Sequence, residues 1–206
     1  MQNAAAIRAG LVCLTAAALP PARASEKRVE RVVPDLSALA GQPLTALPAP
    51  PPWVTVAAGK LWTPADVTAE LKKITAKPPL LVYVRPEFLR PDYGWQVEYV
   101  KWFRSLRRPL NMRYEDDAFD CDKFSRCFVA FANLLAEKAG EYRGPLCVGW
   151  ATVFNDRSFG GVEAGGRHAI VIVGTSAGLI VVEPQTGTLV PLRDYPNRDT
   201  LSAFYL

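Results

Sequence analysis

A chain of 206 residues, half of them hydrophobic, can bury one good core but hardly two independent ones, so one compact domain plus extensions is expected. Its 24 basic and 20 acidic residues leave a formal charge of +4, which excludes the strongly basic surface of a nucleic-acid binder.

Residues 1–24 read as a signal peptide. Arg8 supplies the positive start, Ala9 to Leu19 the apolar run, and Ala22-Arg23-Ala24 a small-x-small cleavage site. Export to the periplasm or outside the cell is the expected consequence. The apolar run is short and ends at Pro20 and Pro21, so no stable membrane span is expected once the leader is removed. Losing two arginines, Arg8 and Arg23, lowers the formal charge of +4 by two, to +2. Cleavage also leaves Cys121, Cys127 and Cys147, an odd number in an oxidising compartment. Two readings stay open: Cys127 and Cys147 bridge and leave Cys121 free, or both are buried reduced thiols.

Residues 25–53 begin charged, "SEKRVERVV", and continue as "GQPLTALPAPPPW", whose prolines favour extended backbone. This is a linker or a strap laid over the domain expected at 54–206. Thr63 as N-cap and Pro64 at the first helical position predict a short helix through "DVTAELKKI". "LLVYV", Leu80 to Val84, reads as a strand between proline-containing flanks. "WQVEYVKWFRSLRR" places Val97, Val100, Phe103 and Leu106 on helical spacings. Arg104, Arg107, Arg108 and Arg113 read as a solvated helix end and are assigned no function.

The strongest helix follows. Phe124, Cys127, Phe128, Phe131, Leu134 and Leu135 recur at i, i+3, i+4, i+7, i+10 and i+11, and Gly140 and Gly144 mark the end. Cys121 falls at or just inside its first turn, capped by Asp120 or Asp122. Beyond Gly144 the pattern turns to β: "LCVGWATVF", "HAIVIVG", "LIVVEPQTG" and "LVPLRDY". A helix packed on an antiparallel sheet, with helices before strands, is an α+β domain.

A cysteine at a helix N-terminus meets the positive end of the dipole and unpaired N–H groups, both of which favour thiolate. Asp116, Asp117, Asp120 and Asp122 crowd around Cys121 and oppose that effect, so a cationic partner is needed, an imidazolium or a metal ion. His168 is the only histidine. A tight turn at Thr175 to Gly178 would pair Gly174 with Leu179, which sets His168 opposite Gln185 and diagonal to Glu183 on one face, continued by Ile170 and Val181. Thiolate, imidazole, orienting carboxylate and oxyanion donor are then supplied by Cys121, His168, Glu183 and Gln185. A parity slip in the register would turn Glu183 and Gln185 away.

"FDCDKFSRCFVAFANLL", "GRHAIVIV" and "GLIVVEPQTG" together resemble the papain-like cysteine protease domain at the C-terminus of the fairy-ring mushroom agglutinin and in related bacterial and phage proteins. The resemblance covers roughly the last hundred residues. It implies a papain-like fold with Cys121 as nucleophile, His168 as general base, Glu183 as third member and Gln185 as oxyanion donor. It also implies calcium, with Asp117, Asp120 and Asp122 as candidate ligands, hard oxygens of the kind calcium takes. The sequence departs from the relatives where "DCDK" places a lysine in a position often acidic, and no lectin repeat precedes the domain. The expected activity is hydrolysis of an amide bond in a protein or peptide, including cell-wall peptide, or acyl transfer by the same apparatus. The alternative is a calcium-dependent binding or structural domain on the same scaffold.

Overall fold

The computed structural model describes residues 47–53, 61–114, 120–140 and 144–206. The unit Met1–Leu36, and with it the expected leader, lies outside them; everything described belongs to the second unit, Ser37–Leu206. No helix among the described residues is long and apolar enough to cross a membrane.

Helix α1 (Pro64–Ile74) starts as its sequence dictates. The Thr63 hydroxyl accepts from the Asp66 N–H while the Asp66 carboxylate accepts from the Thr63 N–H, a closed capping box. Strand β1 (Leu80–Val82) is two residues shorter than expected, because Tyr83 and Val84 turn out to solvent at the edge of the sheet. Helix α2 (Tyr93–Leu106) is capped by Asp92 and buries Trp95, Gln96, Tyr99, Val100, Phe103 and Leu106. The buried stripe therefore runs one position round from Val97, following the bulkier aromatic side chains. Of the expected linker or strap, only residues 47–53 are described, and they touch this helix at two points. The Trp102 indole N–H donates to the Pro48 carbonyl at 2.8 Å, and Trp53 stands edge-on to Trp95 at 4.6 Å.

Helix α3 (Cys121–Lys138) buries Phe124, Ser125, Phe128, Ala132 and Ala136. The expected stripe of large residues is thus half right. Leu134 is 43% exposed, and the alanines form the inner face where helix and sheet approach closely.

Strands β2 (Val148–Asn155), β3 (Gly166–Thr175), β4 (Gly178–Glu183), β5 (Thr188–Pro191) and β6 (Leu201–Tyr205) join β1 in one six-stranded sheet, ordered β1-β6-β2-β3-β4-β5. Neighbours are antiparallel except β1 and β6, which run parallel. The sheet is therefore mixed rather than antiparallel, because β1 is delivered by the helical first half and enters at the far edge, against β6. Strand β6 was not foreseen; "LSAFY" is short and carries no turn signal of its own.

Side chains alternate between two cores. Val148, Val171, Val173, Ile180 and Val182 meet α2 and α3 on one face. Ala151, Val153, Ile170, Ile172 and Val181 meet α1, Phe88, Leu192 and Tyr195 on the other. Cys127 packs with the first core and Cys147 belongs to the second, with the sheet between them. All three described cysteines are free thiols, so the bridged alternative falls away. Burial pushes the Cys147 thiol up to about 12.

Candidate functional site

Cys121 is the first residue of α3, and Asp120 is the N-cap, its carboxylate accepting from the Lys123 N–H at 3.5 Å. The Ser125 hydroxyl donates to the Cys121 carbonyl at 2.9 Å, closing the first turn. His168 stands near the start of β3, and Glu183 ends β4.

The hairpin register is the expected one, with Gly174 opposite Leu179 and Thr175 opposite Gly178. It brings His168 and Glu183 together: Nε2 lies 2.6 Å from Oε2, with side chains only 6% and 0% exposed. Gln185 does not pair opposite His168, because β4 stops at Glu183 and the chain turns at Pro184. Its N–H instead donates to Oε1 of Glu183 at 3.0 Å, so both carboxylate oxygens are engaged.

Cys121 and His168 line the same two clefts, and the neighbouring cysteine is one of the groups that act on the titration of the ring. Burial by itself would hold this imidazole below its ordinary value. The interactions with Cys121 and Glu183 outweigh it and lift His168 to about 9. That is the direction expected of an imidazole bonded to a buried carboxylate.

Space opens on both sides of this pair. A cleft of about 640 Å³ runs over Trp150, Thr152, Phe154 and Tyr205, and a smaller one of about 290 Å³ lies against Tyr114, Asn155, Glu163 and Gln185. Cys121, Arg167 and His168 line both. Gln185 borders the smaller one.

The aspartates are arranged differently. The interaction between Asp120 and Asp122 holds Asp120 below the usual carboxylate range and Asp122 above it. Lys123 stands 3.3 Å from Asp120, and Arg126 stands 3.0 Å from Asp122. Asp116 and Asp117 lie outside the described residues. Among the described residues no group of three or more His, Cys, Asp or Glu side chains is placed to hold a metal. Of the expected calcium set, Asp120 and Asp122 are described and each has a cation beside it, while Asp117 lies outside the described residues.

One contributor escaped the sequence reading. Arg107, set aside as part of a solvated helix end, donates from Nη1 to the Gln185 carbonyl and lies 5.3 Å over the Phe124 ring. The available signal was spacing, since Arg107 follows the fully buried Phe103 by one turn.

Neither a protein-family model nor a curated protein matches this chain. Solved structures do. The Polyporus squamosus lectin PSL1a, solved as its E64 complex, matches over 71% of this chain and 50% of its own, with a TM-score of 0.51 and 15% identity. Polyporus squamosus lectin bound to the human-type influenza-binding epitope Neu5Aca2-6Galb1-4GlcNAc matches over 71% and 49%, with a TM-score of 0.50 and 16% identity. The chain spans about half the length of these proteins, and at such identity the likeness is one of fold.

Proposed function

We propose that this chain is an exported, papain-like thiol hydrolase that cleaves an amide bond of a protein or peptide through an acyl-enzyme on Cys121. The observation that carries the reading is the buried His168–Glu183 hydrogen bond at 2.6 Å, with His168 sharing two clefts with Cys121 at the N-terminus of α3. The thiolate adds to the carbonyl carbon, and the imidazolium gives its proton to the departing amine. Water then adds to the thioester, His168 taking its proton, and Cys121 leaves as thiolate. Glu183 fixes the ring and its charge. Gln185, bordering the smaller cleft, is the candidate donor to the oxyanion.

Hydrolysis of casein or fluorogenic peptides should vanish in Cys121→Ala while the melting temperature holds. Unchanged hydrolysis would sink the assignment.

A second reading, a calcium-dependent binding or structural domain, draws on the paired carboxylates of Asp120 and Asp122 and on the glycan named for the lectin neighbour. Calorimetry with calcium, then with that trisaccharide, tests it. Heat of binding by a chain whose Cys121 labels sluggishly with iodoacetamide would favour it over the hydrolase.

A further inference from the structure

We propose that Arg107 is a positioning residue, bracing the turn from Glu183 to Gly187 against the first turn of α3 and so setting how Glu183 meets His168. The proposal rests on the roles given above to Cys121, His168 and Glu183.

Three contacts converge. The guanidinium donates to the Gln185 carbonyl. Its Cζ lies 5.3 Å over the ring of Phe124, which is one helical turn beyond Cys121. Beside it, Gly187 sits so close to α2 that a Cβ there would stand 2.1 Å from Cδ of Arg104, and its φ of +76° suits glycine. The braced turn then holds the carboxylate. Gly187 N–H donates to the Glu183 carbonyl at 2.7 Å, Gln185 N–H to Oε1 at 3.0 Å, and Oε2 meets His168 at 2.6 Å. Both halves of the site are thus tied to one guanidinium. A lysine could reach the carbonyl but offers no planar group to the ring.

Because His168 is the chain's only histidine, its ring titration can be followed by NMR without ambiguity. In the full-length chain, Arg107→Ala should lower the midpoint from about 9 by roughly one unit or more, with Arg107→Lys between the two. Peptide hydrolysis by Arg107→Ala should fall about tenfold in kcat with little change in KM. Arg108→Ala, an exposed neighbour, should leave the midpoint in place. A midpoint within about 0.2 units of wild type in Arg107→Ala, alongside a lowered melting temperature, would overturn the proposal and leave the arginine as packing. Should that variant fail to fold, Arg107→Lys and Phe124→Leu decide on the same scale. The titration judges Arg107 whether or not a substrate is cleaved, whereas the hydrolase reading stands or falls on Cys121→Ala.

Discussion

Asp120 and Asp122 flank Cys121 in the chain, lie partly in solvent and pair with Lys123 and Arg126 on their own helix. Glu183 comes from a distant hairpin, is fully buried, and gives one oxygen to His168 and the other to a backbone N–H. All are carboxylates within reach of one site, yet only the buried one controls the imidazole. Water and neighbouring cations screen the aspartates, while the glutamate acts through a short bond where screening is weak. Density of charge in sequence is therefore a poor guide to which carboxylate is bonded to the imidazole.

The sharpest test of that contrast is Glu183→Gln, which keeps the shape and removes the charge. Hydrolysis should fall by on the order of 10² to 10⁴-fold, as when a triad loses its third member. Glu183→Ala should in addition cost about 3–5 kcal/mol in a urea melt, because a buried imidazolium loses its partner. If Glu183→Gln were as active as wild type, the buried carboxylate would be no more important than the exposed ones.

Stability against pH comes next. His168 titrates at about 9 folded against roughly 6.5 unfolded, so its contribution is complete below about 6.5 and is lost as pH rises through about 9. Wild type should weaken across that window by on the order of 3 kcal/mol, and Glu183→Gln should show a flatter profile. An identical slope in both would place the effect elsewhere.

The exposed pair should give the smallest responses. Asp122→Asn should slow hydrolysis less than about threefold, since its partner Arg126 is solvated and the ion pair is of surface type. Calcium at millimolar concentration should move the melting temperature by no more than about 1 °C, given only two described carboxylates. A rise of several degrees would bring Asp117 back as the missing ligand and sharpen the second reading.

The sequence carried the hairpin through its tight turn: β3 and β4 are apolar on both faces, so only the turn at Thr175 to Gly178 selects the register that sets His168 beside Glu183. It carried the start of α3 through Asp120. It misplaced Gln185, since a ladder extrapolated past Pro184 ignores the missing N–H donor of proline. It could not deliver the meeting of Cys121 with His168. By parity His168 belongs with Ile170 and Ile172, on the side of the sheet away from α3, and only the three-dimensional rim of the strand brings ring and thiol together. The mixed sheet was likewise illegible, because a three-residue edge strand paired to a segment over a hundred residues away leaves no local signal.

Strand β6 occupies a slot between β1 and β2, with the Tyr205 carbonyl pressed so near Gly149 that a Cβ there would stand 2.0 Å from it. During synthesis the strands that precede β6 must wait with that slot open, offering two unpaired edges to any passing chain. Closure depends on Leu201–Tyr205, the last of the six strands to emerge, so the sheet cannot be completed vectorially. A chain cut just before Leu201 should be caught by chaperones or aggregate through those edges, even though Cys121, His168 and Glu183 would already have been made.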